Sequence, residues 1–356
     1  MQIDHQRLRT VCRAIVAATG STGEEPDIVA NHLVEANMKG HDSHGLGMLP
    51  RYVGLYNRGL LKPNQTVEIV ADAPPILHID GRHGYGQAVA RQAMLHAVDR
   101  ARTGGACILS LRNCNHIGRV GTYGEMAVAA GLASLHFVNA TGHVPRVAPY
   151  GGSDARLPTN PVVIAIPTAD DSRPFLLDMA TAAIAMGKVR VAKNKGESVE
   201  GGLLLDPQGR PTTDPNVMFR RPIGALRAFG LHKGYGISLA CELLAGAFSG
   251  GGTIQPERQA PDTIVNNMFA LVFDPARLAD PTWAKPEIGK VVAYVTGSPP
   301  ADPAAPVLIP GDPERATYAE RTAKGVPVDP TTWEEILVAG ETLGLVRSDI
   351  ERMAAA

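Results

Sequence analysis

The sequence predicts an α/β protein whose sheet need not be parallel. Short apolar segments typical of strands recur between residues 67 and 295, and helical segments interrupt them without strict alternation. A strictly alternating order would instead predict a parallel sheet. The chain also contains no G-x-G-x-x-G turn, so any dinucleotide it binds is bound without the usual Rossmann loop.

Two amphipathic helices are predicted near the amino terminus, over residues 4–19 and 24–40. The first has one apolar face, formed by Leu8, Val11, Ile15 and Ala18. Thr22 followed by Glu25 is a capping-box pattern, which predicts the start of the second helix. That helix runs into the polar segment 40–45, where side chains can reach a pocket.

The middle of the chain alternates irregularly between the two kinds of element. Strands are predicted over residues 67–70, 76–79, 106–111, 133–139, 162–167, 175–178, 268–274 and 291–295. Helices are predicted over residues 87–103, 119–131, 234–248 and 332–344. The segment 296–313 holds six prolines and is predicted to be a long connection.

The composition is typical of a globular protein. We expect its partner to be a small molecule or a second copy of the chain. Of the 356 residues 44% are hydrophobic and 19% charged, and the net charge of −1 gives no basic surface for nucleic acid. No apolar run approaches the length of a membrane span, and the first residues are polar rather than those of a signal peptide. The four cysteines have no paired spacing, so we expect reduced thiols and a cytoplasmic protein.

The segment His41-Asp42-Ser43-His44-Gly45 is the first candidate site. A histidine is well suited to deliver a proton to a developing alkoxide near neutral pH, and Ser43 can hydrogen-bond to the ring or the substrate. Composition alone favours a simpler interpretation, in which the segment is a helix end with Gly45 as its cap. A third possibility is a metal-dependent lyase or hydrolase with His41, Asp42 and His44 as ligands, although no further ligand cluster supports it.

Three other segments combine polar residues with strand or helix ends. In 113–124, three glycines and Arg119 near a helix start can accept a phosphate, and His116 is either an acid–base group or a packed ring. Asp178, after a predicted strand, can bind a ribose, orient a histidine or cap a helix. His232, Lys233 and Gly234 precede an apolar helix and can form an anion site.

Taken together, these segments resemble the type-2 malate/L-lactate dehydrogenase family, a non-Rossmann group of NAD(P)-dependent oxidoreductases. The resemblance extends almost from end to end and includes the motifs Asp42-Ser43-His44-Gly45, His116-Ile117-Gly118, Ala148-Pro149-Tyr150-Gly151-Gly152, Thr159-Asn160-Pro161, Asp178-Met179-Ala180-Thr181, His232-Lys233-Gly234 and Ile309-Pro310-Gly311-Asp312. The stretch 40–53 is most similar to the hydroxycarboxylate dehydrogenase branch.

The resemblance implies a fold, a reaction and a set of site residues. The implied fold has a mainly antiparallel or mixed, non-Rossmann cofactor-binding sheet with helical flanking lobes. The implied assembly is a homodimer. His44 is the implied proton donor with Ser43 as its relay partner, His116 is the acid–base residue in some members, and Thr159 contacts the substrate. The implied cofactor contacts, to NAD or NADP with NAD slightly favoured, are His116, Ile117, Gly118, Arg119, Val120, Asn139, Ala140, Asp178, Met179, Ala180, His232, Lys233, Gly311, Asp312 and Glu314.

One position departs from the pattern of many relatives. They carry an arginine four residues after the catalytic histidine, where this chain has Met48, and the nearest arginine is Arg51. Either Arg51 binds the substrate carboxylate or the pocket accepts a more apolar substrate end. We therefore expect a hydride transfer between a small 2-oxo acid and its 2-hydroxy acid, without a metal, and we keep reduction of a cyclic or N-methyl imino acid as the alternative.

The sequence also predicts three regions. Residues 1–65 are expected to form a helical lobe that carries the catalytic histidine, and 66–295 the α/β domain that binds cofactor and substrate. Residues 296–356 are expected to pack back on the amino-terminal lobe.

Overall fold

The computed structural model describes residues 1–260 and 263–355. Its strands are β1 (Gln2–Ile3), β2 (Glu68–Ala73), β3 (Ile76–Asp80), β4 (Ala106–Asn115), β5 (Ala133–Thr141), β6 (Pro161–Ile166), β7 (Phe175–Ala180), β8 (Leu204–Leu205), β9 (Pro211–Thr212), β10 (Ala225–Leu226), β11 (Val265–Phe273) and β12 (Val326–Pro327). Its α-helices are α1 (His5–Ala18), α2 (Glu25–Met38), α3 (Leu49–Asn57), α4 (Gly86–Gly104), α5 (Gly121–Ala129), α6 (Met186–Lys195), α7 (His232–Cys241), α8 (Pro281–Thr296), α9 (Asp312–Lys324), α10 (Pro330–Thr342) and α11 (Arg347–Ala355).

The main sheet has seven strands in the order β2-β3-β4-β11-β5-β6-β7 within the described residues. Its neighbouring strands pair antiparallel, except for β3 and β4, which are parallel. This confirms the predicted mixed, mainly antiparallel sheet. Residues 106–111 of β4 and 268–273 of β11 alternate between half-buried and buried, as the period of two in a pleated strand requires.

Helix α4 covers the sheet with an apolar face of small and medium side chains. Val89, Ala93, Met94 and Ala97 are fully buried there among the apolar residues of β4 and β11. The helix ends where Gly105 takes a left-handed conformation with φ of 89°, which costs glycine little. The helix therefore joins β3 to β4 as a crossover, which is what a parallel pair needs.

A second hydrophobic core joins the two ends of the chain. Leu8, Ile15 and Leu33 of the first helices pack with Ile336 and Leu337 of α10. A third, smaller core lies around the three-stranded sheet β10-β8-β9, with Val147, Leu157 and Leu204 among its residues. The boundaries predicted at residues 65 and 295 remain predictions.

Several predicted elements need correction. Residues 291–295 form part of helix α8 rather than a strand, because Asp280 caps the helix by accepting from the Thr282 N–H and Pro281 starts its first turn. The predicted capping box is also wrong. Thr22 instead hydrogen-bonds to Asn64, and helix α2 starts at Glu25. Helices α3, α6, α9 and α11 were not predicted.

Other predictions agree with the structure. Residues 297–311 contain no helix or strand, as expected for a proline-rich connection. All four cysteines are buried and unpaired. Among the described residues, no helix is both long and apolar enough to span a bilayer.

Candidate active site

The turn that carries His44 is fixed to helix α2 through Asn37. The Asn37 side chain donates to Asp42 Oδ1 at 2.6 Å and accepts from the Leu46 N–H at 2.8 Å. Gly45 is necessary at this contact, because a Cβ there would lie 2.1 Å from Asn37 Oδ1. Arg321 of α9 adds an ion pair to Asp42, so the turn is held from two sides.

His44 lies directly against His116, which follows strand β4. His44 Nδ1 is 3.2 Å from His116 Nε2, and the two rings are nearly parallel, with an interplanar angle of 11°. His116 is buried, whereas His44 is half-buried. The structure thus brings together the two histidines between which the sequence left the acid–base role open.

Two buried residues extend this contact into the protein interior. Tyr52 Oη lies 2.7 Å from His116 Nδ1, and Gln87 Nε2 donates to Tyr52 Oη at 2.6 Å. Tyr52 and Gln87 are each 1% exposed. Neither residue stood out in the sequence, because Tyr52 lies in an apolar helix and Gln87 in the first turn of another.

The electrostatic environment keeps both imidazoles neutral near pH 7. Burial lowers the pKa of His44 to about 4, with Asp178 opposing the shift and His41 and Arg119 adding to it. Burial is also the main reason why the pKa of His116 lies well below its usual value. Neither ring is therefore an imidazolium in the free protein at neutral pH.

Arg119 is the centre of a buried ion-pair network beside the site. Its side chain is 0% exposed, its Nη1 donates to Glu125 at 2.9 Å, and its Nε is 3.3 Å from Asp178. Lys39, directly after helix α2, binds the other oxygen of Glu125 at 2.8 Å. The network fixes the 116–121 loop to α2, α5 and β7.

The N–H groups of this loop are also largely used within the protein. Those of Ile117, Arg119 and Gly121 donate to Asn266, His32 and Asp178, respectively. The interpretation of the glycine-rich loop as an open phosphate cradle is therefore wrong for these three donors. Asp178 does not cap the helix that follows it in the chain. Its carboxylate instead accepts from the N–H of Gly121, the first residue of α5, and pairs with Arg119.

Two further residues expected at the cofactor are engaged in the protein. The buried Asn139 amide donates to Glu242 and to the Gly252 carbonyl and accepts from Asn267, so its hydrogen-bonding atoms all have partners. The Asp312 carboxylate binds Arg173 through both oxygens and Arg315 through one. These guanidinium groups, Arg173 foremost, lower the pKa of Asp312 strongly.

The residues expected at the substrate differ in exposure. Ser43 is exposed, Thr159 is half-buried, and Met48 is half-buried and packs against the amino-terminal core. Arg51 is half-buried, and its Nη2 donates to the Thr263 carbonyl at 3.4 Å. Its positive charge contributes to lowering the pKa of both His116 and His143. His143, which the sequence analysis did not select, therefore also belongs to this region.

Several buried polar atoms in or next to the predicted cofactor segments have capacity for a further hydrogen bond. Arg119 Nη2, Thr122 Oγ1 and Glu314 Oε2 are buried without a hydrogen-bond partner among the described residues. Glu314 Oε1 lies 3.3 Å from His41 Nε2, which places this helix start against the His44 turn. His232 and Lys233 are exposed at the start of helix α7. This donor and acceptor set fits a polar, hydrogen-bonding cofactor.

The remaining predicted cofactor contacts range from buried to exposed. Val120 and Gly118 are buried in the loop after His116, and Gly311 is buried at the start of α9. Ala140 and Met179 are half-buried and Ala180 is exposed, on strands β5 and β7. Within residues 1–260 and 263–355, no group of three or more His, Cys, Asp or Glu side chains is arranged to hold a metal ion.

Comparisons with known proteins agree with this architecture. A family model described as malate/L-lactate dehydrogenase matches residues 3–337. Hydroxycarboxylate dehydrogenase B of Escherichia coli O157:H7 is 40% identical over 352 residues, covering 98% of this chain and 96% of the relative. A solved structure from E. coli covers 100% of both chains with a TM-score of 0.95 and 38% identity. A Δ1-piperideine-2-carboxylate reductase structure from Pseudomonas syringae covers 95% of this chain and 99% of the other, with a TM-score of 0.80 and 26% identity.

Proposed function

Because the chain belongs to the malate/L-lactate dehydrogenase family, we propose that it is an oxidoreductase that interconverts a small 2-oxo acid and its 2-hydroxy acid. The observation that carries this proposal is the half-buried His44 ring on its clamped turn, 3.2 Å from His116. A bound nicotinamide supplies the hydride to C2 in reduction and accepts it in oxidation.

His44 exchanges the proton with the reacting oxygen in this proposal. It is the more exposed ring of the histidine pair, so it can reach a substrate. The buried His116 ring stacks against its inner side. A positioned acid–base group of this kind contributes about 10²–10⁴-fold in rate. Ser43, exposed beside it, hydrogen-bonds to the ring or the substrate.

Arg51 binds the substrate carboxylate, and Thr159 contacts the substrate. Arg51 lies near both His116 and His143, and a guanidinium can bind both carboxylate oxygens. Met48 offers no charge to the substrate. We therefore propose that the preferred 2-oxo acid is monocarboxylic or has an apolar end, and that it is not oxaloacetate, the 2-oxo acid of malate.

The cofactor is proposed to contact the segments 116–120, 139–140, 178–180, 232–233 and 311–314. Arg119 Nη2, Thr122 and Glu314 are the buried polar groups that would hold it. NAD is favoured over NADP, because Glu125 and Asp178 already balance the charge of the Arg119 guanidinium, so its Nη2 can donate a hydrogen bond but adds little net positive charge for a ribose phosphate.

The proposal extends to the assembly and the location of the protein. The apolar side chains of α8, such as Trp283 at 64% and Tyr294 at 84% exposure, support a homodimer that covers them. The four unpaired thiols support a reducing, cytoplasmic location.

The alternative is a ketimine reductase, in which the carbon that accepts hydride is doubly bonded to nitrogen. It is supported by the similarity to the piperideine-2-carboxylate reductase, which is lower than the similarity to the hydroxycarboxylate dehydrogenase.

A substrate panel tests both functions. Pyruvate, 2-oxobutyrate, phenylpyruvate and oxaloacetate are each mixed with NADH or NADPH, with and without methylamine, and the loss of nicotinamide absorbance is recorded. We expect turnover without amine, faster with NADH. Turnover that requires methylamine would instead establish the imine reductase, and no turnover with any oxo acid would contradict the proposed dehydrogenase.

A further inference from the structure

We propose that Tyr52, supported by Gln87, is the proton reservoir of the site and delivers its proton to the substrate through His116 and His44. The inference rests on the proposed dehydrogenase function, which it deepens. Its basis is the continuous hydrogen-bonded row Gln87–Tyr52–His116–His44, with heavy-atom distances of 2.6, 2.7 and 3.2 Å. The row starts in the interior and ends at the one member that is not fully buried.

The donor at the inner end sets the direction of every bond in the row. Gln87 Nε2 donates to Tyr52 Oη, so the phenol proton is free to be donated to His116 Nδ1. The single proton of a neutral His116 then lies on Nε2 and faces His44 Nδ1. The single proton of a neutral His44 is consequently on Nε2, the nitrogen that remains for the substrate.

A relay is needed because the imidazolium form of His44 is scarce. Because burial holds the pKa of His44 well below 7, few molecules carry a second proton on His44 at pH 7. A neutral imidazole can still act as an acid if its other nitrogen receives a proton as the first one leaves. His116 offers such a proton at 3.2 Å.

The reductive step is balanced along the row. As C2 of the oxo acid receives its hydride, the oxygen takes the Nε2 proton of His44, and His44 Nδ1 takes the Nε2 proton of His116. His116 Nδ1 then takes the phenol proton of Tyr52. Both imidazoles stay neutral, the substrate becomes the alcohol, and the resulting phenolate accepts the hydrogen bond from Gln87 Nε2.

The reservoir is refilled from solvent after the product leaves. Water gives a proton to Nε2 of the half-exposed His44, and each proton moves one position back toward Tyr52. Burial raises the pKa of Tyr52 above its usual value, so the phenolate readily recovers its proton. In the oxidative direction the same row accepts the hydroxyl proton of the substrate.

The charged and titratable groups around the row are defined. Asp178, His41 and Arg119 face His44. Arg51, His32 and His143 face His116, and Tyr85 and Arg51 face Tyr52.

Tyr52→Phe leaves all of these groups in place and removes one hydroxyl. Tyr56→Phe, which removes a hydroxyl from the same helix one turn later, is the matched control.

The first test compares reductive turnover of these variants over pH 6–9. Wild type and Tyr56→Phe are expected to have a nearly flat kcat. Tyr52→Phe is expected to lose at least about tenfold at pH 8 with little change in KM. The kcat of Tyr52→Phe should also fall about tenfold for each unit by which the pH rises, because only the imidazolium of His44 remains as an acid.

Mixtures of H₂O and D₂O give a second readout. The kcat of the wild type should depend on the D₂O fraction along a curve, and that of Tyr52→Phe along a straight line. A flat pH profile and unchanged curvature in Tyr52→Phe would overturn the relay.

The second test does not depend on activity. Nitrogen-15 NMR of histidine-labelled free protein is expected to show a bare Nδ1 and a protonated Nε2 on His116 and on His44. The Nδ1 resonance of His116 should shift in Tyr52→Phe and in Gln87→Met, but not in Tyr56→Phe. A proton on Nδ1 of either ring would refute the proposed direction, whether or not the protein reduces any oxo acid.

Discussion

His44 and His116 stack with 11° between their ring planes and 3.2 Å between Nδ1 and Nε2. The two candidate acid–base residues therefore form one unit. His44 provides the exposed nitrogen, and His116 fixes the orientation of that ring. Asp178, which contributes most among the charged neighbours to raising the pKa of His44, is itself held by Arg119 and Gly121.

Replacing His44 by alanine should abolish most turnover and leave cofactor binding intact. The group that exchanges the substrate proton is lost, so kcat is expected to fall by at least about two decades. NADH binding, followed by its fluorescence, should stay within about twofold, because the pairs of Arg119 are untouched. His96→Ala on helix α4 is the control. A His44→Ala enzyme with near wild-type kcat would remove His44 from the proposed role.

Replacing Arg51 by alanine should weaken substrate binding more than it slows the chemical step. A hydrogen bond to a charged group contributes about 1.5–3 kcal/mol, so KM for the oxo acid should rise about tenfold or more. Arg58→Ala, at the exposed end of the same helix, should leave KM unchanged. Equal KM values in the two variants would mean that another group binds the carboxylate.

The sequence identified both histidines but could not identify their contact. They are 72 residues apart, and only the crossover through β3, α4 and β4 brings the end of β4 to the turn after α2. Tyr52 and Gln87 have no motif because their roles arise from tertiary contacts. The strand predicted at 291–295 is wrong because the β-branched residues of this segment fit a helix as well as a strand. The cap at Asp280, which starts helix α8, lies outside the segment and was not recognised. Most strands of the main sheet were predictable because one-sided burial imposes a period of two.

The stability of the protein should decrease as pH falls from about 7 to 5. Burial lowers the pKa of His32 and His136 to about 3 and that of His44 to about 4, whereas an unfolded chain has values near 6.5. Below pH 6.5 the unfolded chain therefore binds more protons than the native protein, and the free energy of unfolding falls with pH. Carboxylates contribute mainly below about pH 4.

Urea midpoints at pH 7.5 and 5.0 measure this effect. His136→Gln removes a fully buried ring on β5 and should reduce the difference between the two midpoints. His232→Gln, at an exposed position, should leave it unchanged. Equal midpoints at the two pH values in the wild type would contradict the prediction.

Gly45→Ala should both destabilise the protein and slow its reaction. The added Cβ would lie 2.1 Å from Asn37 Oδ1, inside a contact that also holds Asp42 and the Leu46 N–H. Overpacking of this kind costs about 1–3 kcal/mol, and relief of the clash must move either Asn37 or the turn that carries His44.

Gly54→Ala is the matched control, because a Cβ there meets nothing within 4 Å and the residue lies inside helix α3. It should raise stability by about 0.4–1 kcal/mol and leave kcat unchanged. Chemical unfolding and kcat, measured on both variants, separate the two effects. If Gly45→Ala kept wild-type kcat despite its lower stability, the position of His44 would not depend on the Asn37 clamp.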